Sequence, residues 1–255
     1  MTQIFGPVAG MYDDVRPGYP DVVRDAIVDY HGGTPESVAE LGAGTGKGTE
    51  LLTGLGAPVT CIEPDPLMAD VLADKFPQVE VVRATFERWT PPPGGVSLIG
   101  CALAWHWLDP ETRNRRAHDA LTPGGTLAVF GHTYGYADPA ESAAIERVIH
   151  GVDSTVTARA EHWILDDVRQ SAVFADVREQ VWHTYPVFSK RRYLRLMQTF
   201  SPFRRRPPEQ QRAALDGLDQ VVGDQITLDL VTTLVLARSS RVDGTPAPGT
   251  GAPGR

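Results

Sequence analysis

The sequence predicts an α/β fold, a mostly parallel sheet with helices on both faces. Two observations carry this. Short apolar strands alternate with helices of about ten residues through the first half of the chain. The first strand also runs straight into a glycine-rich turn, LGAGTGKGTE at 41–50. Right-handed crossovers between such strands gather their C-terminal ends on one edge, where sheets of this kind bind ligands.

SVAELGAG (37–44) has an apolar front ending in glycines and reads as a buried strand entering a tight turn. KGTELLTGLG (47–56) carries Leu51, Leu52 and Leu55 at helical spacing and stops at Gly56, a C-cap. PVTCIEPD (58–65) reads as a second strand and PLMADVLADKF (66–76) as a helix with Pro66 in its first turn. VEVVRATFE (79–87) is a third strand, PPPGG (91–95) a loop, and VSLIGCALAW (96–105) a fourth strand. DPETRNRRAHDAL (109–121) follows as a helix, and TPGGTLAVFGHT (122–133) as a turn into a fifth strand. The second half is less regular. Helices are expected near 138–151, 161–172, 189–199 and 207–222, with a strand within 173–185 and a last, β-branched strand over QITLDLVTTLVLAR (225–238). The tail SSRVDGTPAPGTGAPGR (239–255) nearly lacks large hydrophobes and is predicted to be disordered.

Composition narrows the function classes. The 255 residues suit one large domain with insertions. A net charge of -8 argues against nucleic acid or an anionic membrane as the main partner, because phosphate binding needs a basic face. No stretch approaches the roughly 18 apolar residues of a membrane span. The start, MTQIFGPVAGMYDD, lacks a basic segment followed by an apolar core, so a cytoplasmic protein is expected. Cys61 and Cys101 sit in apolar runs and read as reduced core thiols, and the histidines show no metal spacing, so no metal is expected.

Three readings compete for the glycine turn. A kinase phosphate loop, G-x-x-x-x-G-K-[ST], needs glycine where this chain has Leu41, although GKGT ends such loops. The dinucleotide fingerprint G-x-G-x-x-G needs its third glycine at Lys47. The third reading is Glu40 followed by alternate glycines at Gly42, Gly44 and Gly46. Alternate glycines admit a ligand close to the backbone, and an acidic residue before them suits an ammonium group better than a pyrophosphate. Glu63, at the end of the second strand, stands where an acidic residue grips ribose hydroxyls in this sheet type. A ribose-bearing ligand with a positive end is S-adenosylmethionine. On this reading Lys47 is an ordinary, solvent-facing residue of the helix's first turn.

An ordered set of stretches, YDDVRPGYP (12–20), ELGAGTGKGT (40–49), CIEPDPLMADVL (61–72), ATFERW (84–89), LAWHWLD (103–109) and LTPGGTLAVF (121–130), resembles the class I S-adenosylmethionine-dependent methyltransferases of the small-molecule branch. The resemblance implies a Rossmann-like fold of seven strands, the last antiparallel to the sixth. It implies an N-terminal cap segment and first helix at 1–36, and a methyltransferase domain at 37–238 with helical cap insertions at about 138–172 and 186–223. By position, Gly42, Ala43 and Gly44 would line the methionine end of the cofactor, with Glu40 anchoring its amino group. Glu63 would take the ribose, with Pro64 or Leu67 against the adenine, near Thr85 and Phe86. Ala102 and Leu103 would end the fourth strand beside the methyl group. Tyr12 and Tyr19 would face the transfer site, with Arg16 near a carboxylate. Trp105 and His106 would meet the substrate, with Tyr12 and His106 the candidate catalytic groups, since an imidazole accepts a proton near neutral pH.

The implied reaction is methyl transfer to an O or N, possibly C, of a small molecule, by a monomer or homodimer. Two other classes stay open: a cofactor-bound protein that isomerises or cyclises without methylating, and a nucleotide kinase. Two basic runs, Lys190–Arg192 and Arg204–Arg206, read as solvated surface or helix ends, or else as contacts for an anionic substrate.

Overall fold

The computed structural model describes residues 4–153 and 160–240. A strap of helical turn Gly6–Val8 and α1 (Ala9–Val15) precedes α2 (Asp21–His31). The alternating half then runs β1 (Val38–Leu41), α3 (Lys47–Thr53), β2 (Val59–Ile62), α4 (Pro66–Lys75), β3 (Glu80–Val82), β4 (Val96–Ala102), α5 (Arg113–Ala120) and β5 (Leu121–Tyr136). The second half runs α6 (Pro139–Val152), α7 (Trp163–Gln170), β6 (Phe174–Thr184), β7 (Val187–Ser189), α8 (Lys190–Met197), α9 (Ser201–Arg204), α10 (Pro208–Val221) and β8 (Gln225–Ser239).

The sheet order is β3-β2-β1-β4-β5-β8-β6, with short β7 paired to β8 off that path. Strands β1 to β5 pair in parallel, and β8 inserts antiparallel between β5 and β6. This is the Rossmann-like methyltransferase fold expected, with β7 as an eighth strand. β1 is buried along its whole length because helices cover both faces.

Side chains of one strand still go to opposite faces. Ala39 and Leu41 join the cluster under α5 and α7, with Trp105, Leu165 and Val168. Val38 joins the cluster under α2 and α3, with Ile27 and Leu52. Glu40 therefore falls on the α3 face. A third core forms where Val15 of the strap packs with Ile145, Tyr193, Leu196, Leu218 and Val222 of the cap helices and with Ile226 and Leu228 of β8.

Several expected boundaries shift. The strand read at 79–87 keeps only Glu80–Val82, and α3 closes on Gly54 rather than Gly56. The cap insertion read at 138–172 is split in role. α6 packs on α10 in the cap, whereas α7 lies on the main sheet against β6. The tail read at 239–255 begins inside β8, and its part from 241 lies outside the described residues.

Candidate active site

The C-terminal ends of β1, β2 and β4 converge on the glycine turn. Gly42, Gly44 and Gly46 take φ of 65°, 59° and 93°, the left-handed region that favours glycine. A Cβ on Gly42 would also stand 2.5 Å from the Ala104 Cβ, so the turn and the end of β4 touch without side chains between them. The Gly42 and Ala43 N–H groups donate to the Ile62 carbonyl at 2.8 and 3.3 Å, tying the turn to β2.

Glu63 braces the turn from that strand. One carboxylate oxygen accepts from the Gly44 N–H at 2.8 Å and the other from the Asp65 N–H at 2.8 Å. Burial pushes its pKa up, and the two N–H donors oppose that rise. Asp65 in turn caps α4 and accepts from the Gly6 N–H of the strap at 3.0 Å.

Glu40 is fully buried beneath α3. The Thr49 hydroxyl and, more weakly, the Cys61 thiol donate to its Oε2, while Oε1 has no partner. That oxygen lies against the wall made by Gly48 and Ala102. Desolvation raises the Glu40 pKa to about 8.

A cavity of about 270 Å³ opens along this edge. Tyr12, Gly42, Gly44, Glu63, Pro64, Thr85, Phe86, Ala102 and Leu103 line it. A narrower cleft of about 30 Å³ adjoins it, walled by Arg16, Tyr19, Ala43, Lys47, His132 and Tyr134 among others. Tyr12, Gly42, Gly44, Ala102 and Leu103 border both, so the two spaces meet there. Leu103 holds φ at 55° on a non-glycine residue, fixed by its N–H donating to the Phe130 carbonyl at 2.8 Å.

Arg16 is buried, and its guanidinium donates to the Thr199 hydroxyl at 2.9 Å, the Thr199 carbonyl at 3.0 Å and the Tyr134 hydroxyl at 3.3 Å. The rings of Tyr12, Tyr134 and Phe200 surround it. Among the described residues no carboxylate pairs with it. His132 is committed at both ring nitrogens: Nε2 lies 3.0 Å from the Gly18 carbonyl and Nδ1 3.0 Å from the Thr232 hydroxyl. A carbonyl only accepts, so Nε2 carries the proton and Nδ1 accepts from Thr232. Burial lowers the His132 pKa to about 4, and Tyr19 stacks on the ring at 4.3 Å between centroids.

Four expectations need correction. Trp105, expected to meet the substrate, is 1% exposed, and its indole N–H donates to Asp167 at 2.8 Å. It belongs to the core because the turn after β4 points it back under the sheet. His106 lines neither space and packs between Trp107 and Trp163. Leu67 is 50% exposed and outside the cavity wall, because it sits on the outer side of α4's first turn. Lys47 faces the cleft rather than solvent and pairs with Asp13 of the strap at 3.6 Å.

Among the lining residues missed in the sequence are Phe5, Asp65, Trp107, Leu108, His132 and Tyr134. His132 and Tyr134 continue the Phe130 face of β5 at strand spacing; His132 already lay within the strand read to 133, and extending that strand would have added Tyr134.

Comparison with known proteins agrees with this geometry. Residues 38–125 match the family model described as a methyltransferase domain. An uncharacterised methyltransferase of Mycobacterium bovis is 35% identical over 133 residues, 52% of this chain and 54% of that protein. The chain thus spans about half the length of the first curated relatives it matches. Trans-aconitate 2-methyltransferase of Rhizobium meliloti is 37% identical over 94 residues, 35% of this chain and 36% of that one. A candidate type II methyltransferase of Anaeromyxobacter dehalogenans superposes with a TM-score of 0.65 at 18% identity, covering 88% of this chain and 97% of that one, and shares the fold. Residues 38–125 are thus similar in sequence to methyltransferase domains, and the strand order is that of the Rossmann-like methyltransferase fold.

Proposed function

We propose that the protein transfers the methyl group of S-adenosylmethionine to an O or N atom of a small molecule. The observation that carries this is the unpartnered, fully buried Oε1 of Glu40 behind the Gly48–Ala102 wall. A buried carboxyl oxygen without a donor costs free energy unless a ligand supplies one, and an ammonium group on the other side of a glycine does so. The rest of the edge fits the same ligand. Arg16, a buried cation with no carboxylate of its own, suits the methionine carboxylate in the narrow cleft. Glu63 keeps acceptor capacity for ribose hydroxyls beyond its two backbone donors. Phe86, Leu108 and Pro64 offer apolar walls for the adenine.

Bound there, S-adenosylmethionine supplies an electrophilic methyl group on a sulfonium. The chain supplies position. Leu103, Tyr12 and the glycines set the meeting point of the two spaces, and Phe5 and Trp107 shield it from water. Placement of this kind accounts for much of the rate in a reaction that needs only an in-line nucleophile. One relative is named for trans-aconitate, which makes that compound the first acceptor to try.

Calorimetry should find binding of S-adenosylmethionine and S-adenosylhomocysteine and none of ATP. Methyl label from the cofactor should then appear in acceptor. Tight ATP binding alone would restore the kinase reading. Product formed with the label still on the cofactor would support an isomerase or cyclase instead.

A further inference from the structure

β6 ends the sheet, separated from β1 and the glycine turn by β4, β5 and β8. It has β8 on one side and no strand among the described residues on the other. The ladder fixes which of its backbone groups face outward. The Leu228 N–H donates to the Pro186 carbonyl at 3.1 Å, and the Lys190 N–H to the Asp224 carbonyl at 2.9 Å. The same register runs on through β6, with Thr184 opposite Leu230 and Trp182 opposite Thr232. Bonded and unbonded pairs alternate along an antiparallel ladder. Arg178, Gln180, Trp182 and Thr184 therefore give their N–H and C=O groups to β8, and Glu179, Val181 and His183 turn theirs outward. No backbone group of a described residue bonds to those outward groups. The free stretch has two ends. On one side lies the bulge between Ala175 and Arg178, where the Tyr30 hydroxyl takes the Asp176 carbonyl and Arg169 the Val177 carbonyl. On the other lies Pro186, which has no N–H.

The side chains along this edge are apolar for a surface. Of the exposed large hydrophobic residues described, Val22, Val181, Tyr185 and Val187 all lie on or beside it. A free, apolar strand edge is a template for another strand. This one is its own complement. Laid antiparallel about Val181, the two copies pair Val181 with itself and Glu179 with His183 of the second copy, so every outward residue of β6 enters a bonded pair. An acid then stands across from an imidazole on each side of the axis. Glu179 holds His162 through Oε2 and keeps Oε1 without a donor among the described residues, while His183 holds Asp229 through Nδ1 at 2.8 Å. On the opposite face Trp182 falls against Gln180 of the second copy, beside a groove of about 250 Å³ between β6 and α2. That groove carries Asp25 and Asp29 as well as Arg178, so both signs of charge are present and a second copy is not repelled. We propose that the protein forms a two-fold dimer by antiparallel pairing of β6 with β6 of a second copy, centred on Val181, so that one sheet runs through both copies.

Sedimentation of the full chain up to about 100 µM tests this, and a dimer is expected. Val181→Lys sets two ammonium groups against each other on the axis. It should raise the dissociation constant of the dimer about tenfold or more, with cofactor affinity unchanged. Val181 is 44% exposed, so the melting temperature should hold. Under mild oxidation Val181→Cys should form an intermolecular disulfide, because the Cα atoms of a bonded pair stand about 5.5 Å apart. Leu67→Cys, as exposed but on α4, should not. A monomer at every concentration, a dimer that Val181→Lys leaves unchanged, or no more disulfide in Val181→Cys than in Leu67→Cys would each overturn the proposal. If Val181→Lys lowers the melting temperature, the two cysteine variants decide.

Discussion

The half of the chain from β1 to β4 and the half from α6 to β8 build their parts of the site by different means. In the first, backbone does the work. Glycines at 42, 44 and 46 adopt left-handed φ, and the Glu63 carboxylate after β2 accepts from two main-chain N–H groups. In the second, side chains do it, through Thr199 and Phe200 around Arg16 and Arg205 over Trp107. Backbone geometry tolerates few residue types at each position, so it leaves a readable pattern. A side-chain network can be built from many combinations, so it does not. A ligand shared by many proteins suits the first kind of site and a particular acceptor suits the second.

The sharpest way to break this contrast is at Gly42. A valine there must hold a positive φ and place its Cβ against Ala104. Gly42→Val is expected to abolish cofactor binding by calorimetry and lower the melting temperature, a penalty of about 3 kcal/mol or more. Retained binding would mean that the turn is not where the cofactor lies.

Arg16 joins the halves, because it leaves the strap and bonds Thr199 and Tyr134. Arg16→Met keeps much of the side chain's volume but strands the Thr199 carbonyl, while the Thr199 hydroxyl keeps its bond to the Leu196 carbonyl. It should cost about 2 kcal/mol of stability in urea melts and weaken cofactor binding about tenfold. If only stability falls, Arg16 is a latch and not a carboxylate ligand.

How much of this was legible follows the same division. The glycine turn, Glu40 and Glu63 were readable because turn geometry and buried charge each demand particular residue types. The location of Glu40 was not, since only strand alternation under a packed helix shows that it lies behind the wall. Trp105 and His106 misled for a related reason. A Trp-His-Trp turn after a strand looks like a site, yet the three side chains point in different directions, and only Trp107 lines the cavity. Lys47 looked solvent-facing because its partner Asp13 comes from the strap, far off in sequence.

Glu40 gives a subtler test of the backbone-built half. Its carboxyl has a folded pKa of about 8 against an ordinary 4.5, because burial disfavours the charge. An ammonium ligand beside Oε1 should ionise it. Cofactor binding at pH 7 is then expected to release close to one proton, read by calorimetry in buffers of different ionisation enthalpy, and fewer at pH 9. The sign for folding follows from linkage. Between pH 4.5 and 8 the folded chain holds this proton more than the unfolded chain does, so the contribution to stability falls as pH rises through that window. Glu40→Gln should flatten that fall, remove the proton release and weaken the cofactor about tenfold.

The smallest expected effect is at His106, and it separates a residue near the site from one in it. His106 follows the end of β4, where a general base would be placed, but its ring packs between Trp107 and Trp163 and lines neither space. A base must come within hydrogen-bond reach of the proton it removes. His106→Ala is therefore expected to leave both turnover and cofactor affinity within about twofold, while Trp107→Ala, which removes a wall of the cavity, lowers turnover about tenfold. A larger loss in His106→Ala than in Trp107→Ala, with unchanged melting temperature, would place an imidazole in the chemistry. The acceptor would then have a proton to lose.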